Sequence, residues 1–162
     1  MTFSLYLDTN VLISLHESAD ETHEALWFLI NSSVGRDEVT FHTSSLTFSE
    51  LLAKPYRDRD HKLARQYLSL ARSRSWLSVS DVSAKVIELA AVIRSTLRLK
   101  LPDAIHLSTA LSANCTHLLT SDAGFFELGD IVHPISGMPI AVDITTIRPD
   151  PLSISALAKA FS

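Results

Sequence analysis

A chain of 162 residues, 46% apolar and 20% charged, has the length and balance of one globular, soluble domain with a substantial core. Its single cysteine, Cys115, excludes an internal disulfide, and no apolar run approaches the ~20 residues of a membrane span. A net charge of −4 weighs against a globally basic nucleic-acid binder.

The first residues, up to Asp8, lack a basic region followed by a long apolar stretch, so no signal peptide is expected and the expected location is cytoplasmic. Phe3 to Leu7 reads as a strand that ends at an acid, and Val11 to His16 as a short helix. Ser18 and Glu21 have capping-box spacing and predict the start of a second helix, with Leu26, Phe28, Leu29 and Ile30 on its apolar side. Val39 to Thr43 alternates as a second strand. Thr47 to Ala53 reads as a helix stopped by Pro55, and Arg59 to Ser73 as a helix with a polar face. Trp76 to Val79 is the third strand. Val82, Val86, Leu89, Ala90, Ile93 and Leu97 fall on one helical stripe. Pro102 opens a further helix to Ala113, apolar on most faces and therefore buried. Leu118 to Thr120 and Ile140 to Ile144 supply strands four and five, and Ile154, Leu157, Ala158 and Phe161 form a last apolar stripe.

Short apolar strands that alternate with helices predict an α/β fold: a parallel sheet of about five strands with helices on both faces, three layers in all. In such a sheet, sites form beyond the carboxyl ends of the strands. Asp8 ends strand one, Asp122 follows strand four, Glu50 lies on the helix after strand two, and Asp103 opens the buried helix. Each has a local explanation. Asp8, Thr9 or Asn10 can cap a helix, Thr47 and Glu50 have capping-box spacing, Asp103 suits a helix dipole, and Asp122 precedes a glycine turn. Together they point to one end of the domain. Four carboxylates about 5 Å apart repel by roughly 3 kcal/mol per pair at an effective dielectric near 20, on the order of 20 kcal/mol in all. That exceeds the usual stability of a domain, so either some acids are protonated or a divalent cation sits among them. Oxygen-only ligands suit Mg²⁺ or Mn²⁺.

Seven of the chain's 14 basic residues, Lys54, Arg57, Arg59, Lys62, Arg65, Arg72 and Arg74, fall in one stretch and make one surface locally positive, or else form an ordinary solvated helix face.

Asp8-Thr9-Asn10, Ser49-Glu50, Pro102-Asp103-Ala104-Ile105-His106 and Thr120-Ser121-Asp122 resemble the motifs of the PIN-domain ribonucleases, most closely the small toxins of bacterial VapBC-type toxin–antitoxin pairs. The resemblance covers roughly residues 3 to 145, so the PIN-like domain is expected over 1–148, with 149–162 a helical extension packed on the domain or on a partner. It implies a sheet ordered 3-2-1-4-5. It also implies that Asp8, Glu50, Asp103 and Asp122 are the catalytic acids and bind one or two Mg²⁺ or Mn²⁺ ions. Thr9, Asn10 and Ser121 are then supporting polar residues, and Lys54, Arg57 and Arg59 candidate RNA contacts. His106 is either a group at the pocket rim or a buried, hydrogen-bonded core histidine. The implied activity is hydrolysis of RNA to a 5′-phosphate and a 3′-hydroxyl, with a small antitoxin and a second copy of the chain as partners and no membrane. Two other readings stay open: a non-catalytic PIN-fold module that binds RNA or protein, and a phosphatase with Asp8 as nucleophile, in which Asn10 stands where a second aspartate is expected.

Overall fold

The computed structural model describes residues 2–72 and 76–161. The chain begins with β1 (Phe3–Leu7), α1 (Thr9–Glu17), α2 (Glu21–Ser33), β2 (Val39–Ser44), α3 (Ser45–Asp58), α4 (His61–Arg72) and β3 (Leu77–Ser80). It continues through α5 (Ala84–Thr96), α6 (Leu101–Ser112), β4 (His117–Leu119), a 3-10 turn (Ala123–Phe125), β5 (Ile131–Val132), β6 (Pro139–Ile140), β7 (Thr145–Ile147) and α7 (Pro151–Ala160). Ser73, expected in the fourth helix, and Arg74, expected in the basic stretch, lie outside the described residues.

β3, β2, β1, β4 and β7 form one five-stranded sheet in that order, every neighbouring pair parallel. This is the predicted 3-2-1-4-5 order, because β7 is the fifth strand of the sheet. The alternation of β1 builds the layers: Leu5 and Leu7 join the apolar cluster of α1, α2, α3, α4 and α7, while Tyr6 joins that of α5 and α6. α6 separates sheet from solvent so completely that every residue from Ala104 to Ala110 is buried. α7 packs along α2, and Ile154, Leu157, Ala158 and Phe161 enter the first cluster. No helix among the described residues is long and apolar enough to cross a membrane.

Four local expectations need correction. The fifth sheet strand is Thr145–Ile147, not Ile140–Ile144. Pro139–Ile140 instead pairs antiparallel with Ile131–Val132, and Val142 and Ile144 turn their alternating apolar side chains onto the α5–α6 cluster without joining the ladder. α2 is capped by Asp20, whose carboxylate accepts from the His23 amide at 2.9 Å, so Ser18 and Glu21 form no capping box. Pro55 does not end α3, because Phe48, Leu51 and Pro55 itself lie buried on one face. That burial offsets the lost hydrogen bond, and the helix ends only at Arg59, in left-handed geometry with φ 56°. The start of α3 is capped by Ser44, which leaves Glu50 free of the expected capping role.

Candidate active site

The register Leu7↔Leu119 aligns the carboxyl ends of β1 and β4, so Asp8 and Thr120 emerge side by side. Asp8 caps α1 through Oδ1, which accepts from the Thr9 amide at 2.8 Å. Its Oδ2 accepts from the Thr120 hydroxyl at 2.7 Å, and the carboxylate is only 7% exposed. The local explanation of Asp8 as a cap is therefore correct, and so is its placement at the mouth of the sheet. Capping falls to Asp8 and not to Asn10, which is exposed in the first turn of α1.

Glu50 reaches the same mouth from α3. Its Oε2 accepts a hydrogen bond from Thr9 Oγ1, and His106 Nε2 lies 2.9 Å from the same oxygen. His106 Nε2 also stands 3.7 Å from Asp8 Oδ1, and its Nδ1 is 2.7 Å from the Tyr6 hydroxyl. His106 is thus the buried, hydrogen-bonded histidine of the second expectation, and its Nε2 faces Glu50 and Asp8. Burial pushes the Glu50 carboxyl up, but the hydrogen bonds from His106 and Thr9 outweigh it and hold the group below its ordinary value.

Asp103 sits one turn ahead of His106 on α6 and is half-buried. Burial raises its carboxyl, and the charges of Asp122 and then Asp8 raise it further. The three aspartates therefore share one electrostatic neighbourhood. Asp122 caps the 3-10 turn, with Oδ1 accepting from the Gly124 amide at 2.8 Å. A Cβ on Gly124 would stand 3.2 Å from that same oxygen, so glycine leaves room for the carboxylate.

Among the described residues, no three His, Cys, Asp or Glu side chains stand gathered tightly enough to hold a metal ion. Glu50 Oε1, Asp122 Oδ2 and both Asp103 oxygens have no hydrogen-bond partner among the described residues. The uncommitted donors are all carboxylate oxygens, a set whose chemistry fits a hard divalent cation.

Two participants, one of them inside a motif, were given no role by the sequence. Thr120, fully buried, holds Asp8, whereas Ser121 is exposed and makes no hydrogen bond among the described residues. β4 ends at Leu119, and Thr120 follows it with its side chain turned to Asp8. Tyr6, two residues before Asp8 on the same face of β1, carries His106. Register arithmetic between β1 and β4 is the signal that would have found Thr120. Of the basic residues, Lys54 pairs with Glu17 at 2.9 Å, Arg57 lies 3.5 Å from Asp58, and Arg59 forms the C-cap of α3. All three side chains are at the surface, and Lys54 and Arg57 follow Glu50 at helical spacing along α3.

No curated protein matches the chain in sequence. Solved structures share the fold. A VapBC2 complex from Rickettsia felis, bound to a DNA fragment from its promoter, matches at TM-score 0.60 and 20% identity over 91% of this chain and 100% of that one. A toxin–antitoxin complex from Klebsiella pneumoniae matches at TM-score 0.61 and 23% identity over 90% and 98%. The VapC20 toxin of Mycobacterium tuberculosis, which cleaves the sarcin–ricin loop, matches at TM-score 0.59 and 19% identity over 75% and 92%. The PIN domain profile matches residues 5–131, most of the chain and all four acids, and on that match the chain belongs to the PIN domain family.

Proposed function

We propose that the chain is a divalent-metal-dependent endoribonuclease. One observation carries this reading: Asp8, Glu50, Asp103 and Asp122 reach one mouth at the carboxyl edge of the sheet, where the charges of Asp122 and Asp8 press on the Asp103 carboxyl. Such a surplus of negative charge disfavours the folded state unless a cation offsets it. Asp8, Glu50, Asp103 and Asp122 would hold one or two Mg²⁺ or Mn²⁺ ions. When bound, the metal would lower the pKa of water and neutralise charge on a phosphodiester.

The protein's own groups set the geometry. Thr120 and the Thr9 amide fix Asp8, and Thr9 and His106 fix Glu50. Arg57 and Arg59, with Lys54 where it can leave Glu17, supply positive charge to an RNA backbone that crosses α3 toward the acids. Hydrolysis joins a water oxygen to phosphorus and breaks the bond to the 3′ oxygen, leaving a 5′-phosphate and a 3′-hydroxyl. Structures of the same fold are described as VapBC and toxin–antitoxin complexes. That supports reading this chain as a toxin held by a small antitoxin, and a homodimer in the cytoplasm is proposed with it from the family resemblance alone. Membership of the PIN family displaces the phosphatase reading.

A second reading is favoured by the absence of a gathered three-residue ligand group among the described residues: a PIN-fold module that binds RNA or protein without cutting it. Incubation of the purified protein with RNA in Mn²⁺, in Mg²⁺ and in EDTA separates the two. The nuclease reading requires cleavage that stops in EDTA and in Asp8→Asn. Cleavage that survives either one contradicts it, and RNA binding with no cleavage in any metal favours the second reading.

A further inference from the structure

The buried ring of His106 is not among the four acids, yet it faces two of them. It is 2% exposed and lies between Tyr6 on β1 and Glu50 on α3. We infer that His106 is a positioning residue for Glu50, its tautomer set by Tyr6, so that Glu50 offers its second oxygen to a divalent cation; this rests on the metal-dependent reading above.

The hydrogen-bond directions follow from the groups themselves. Glu50 Oε2 already accepts from Thr9 Oγ1, and a carboxylate oxygen in that role accepts again, so His106 Nε2 at 2.9 Å donates to it. In the neutral ring that proton leaves Nδ1 bare, and a bare Nδ1 needs a donor. The Tyr6 hydroxyl, 2.7 Å away on a fully buried side chain, donates to it.

The consequence lies at Glu50. Its side chain is about one-third exposed, at 35%, and a long carboxylate so placed samples several rotamers. His106 and Thr9 both bond to Oε2, which fixes the carboxylate and leaves Oε1 without a hydrogen-bond partner among the described residues. The same Nε2 stands 3.7 Å from Asp8 Oδ1, so one ring spaces two acids that reach the mouth from different elements. An outer partner that orients a ligand in this way typically accounts for 10–100-fold in metal affinity.

The test is a calorimetric titration of Mn²⁺ into wild-type protein, His106→Gln, His106→Leu and Tyr6→Phe, each checked by thermal melting. Glutamine can present an amide N–H where the ring presents Nε2–H, whereas leucine presents none. His106→Leu is expected to bind Mn²⁺ about 10–100-fold more weakly, Tyr6→Phe several-fold more weakly, and His106→Gln within about threefold of wild type. Turnover should follow, with kcat reduced and the KM for RNA little changed. If His106→Leu does not fold, Tyr6→Phe and the ring nitrogens decide. Nitrogen-15 spectra of metal-free wild type are expected to show a proton on Nε2 that is hydrogen-bonded to Glu50. Wild-type affinity in His106→Leu or Tyr6→Phe, or a bare Nε2, overturns the inference while the metal reading stands. Wild-type protein that binds no Mn²⁺ overturns both.

Discussion

Thr120 donates its hydroxyl to Oδ2 of Asp8 at 2.7 Å, a bond between the carboxyl ends of two neighbouring parallel strands. It is the buried tie that fixes the first acid. Thr120→Val keeps the volume and removes the donor, so one oxygen of a buried carboxylate loses its partner at a cost of about 1–3 kcal/mol. The melting temperature should fall by several degrees, since about 1 kcal/mol moves a domain of this size by 2–4 °C. Thr120→Ser should recover most of the loss. A Thr120→Val variant that melts with wild type would show that the bond does not hold Asp8.

Asp103 is the acid on which its neighbours press. Its folded pKa lies above its unfolded one, so the stability linked to its proton is present in acid and lost as pH rises through the folded value. Asp103→Asn should therefore raise the melting temperature of the metal-free protein near pH 7 by about 1–2 °C, a modest gain because the group is partly solvated. The gain should shrink toward pH 4. A lower melting temperature at pH 7 would show that the neighbouring charges do not strain this residue.

Glu17 ties α1 to α3 and α4: Lys54 Nζ stands 2.9 Å from Oε2, and the fully buried Tyr67 donates to Oε1 at 2.6 Å. Burial raises the Glu17 carboxyl, but these two partners outweigh it and hold the group below its ordinary value. A depressed carboxylate stabilises the fold above its unfolded pKa and loses that contribution as pH falls through the folded value. Tyr67→Phe should cost about 1–2 kcal/mol near pH 7. The gap from wild type in denaturant titrations should narrow below pH 4.5. A gap that is constant from pH 7 to pH 3 would contradict the assignment.

Arg57 on α3 and Arg59 at its C-cap are exposed and make no buried ion pair among the described residues. If they meet RNA phosphates, the double change to Ala should weaken RNA binding several-fold and lower the salt slope by about one per lost contact. Thermal stability should change little. Unchanged affinity at low salt would assign the basic stretch to an ordinary solvated face.

The sheet was legible because its strands are short apolar runs punctuated by helical stripes. The stripe of Val86, Ala90 and Ile93 and the near-continuous burial of α6 follow directly from their periodicity. The fifth strand was not legible. Ile140, Val142 and Ile144 alternate well, yet side-chain alternation does not say which backbone finds a ladder partner, and the short Thr145–Ile147 takes that place. In the site, the acids stood out because carboxylates are costly at the ends of buried strands. Thr120 and Tyr6 did not, because a threonine and a tyrosine in a core need no special reason until the register between β1 and β4 is known.

The most direct measurement of the central claim is a titration of Mn²⁺ into Asp103→Asn and Asp122→Asn beside the wild-type protein. Saturable binding to wild type is expected, weakened tenfold or more in each variant. No saturable binding at millimolar Mn²⁺, or variants that bind as wild type does, would contradict it.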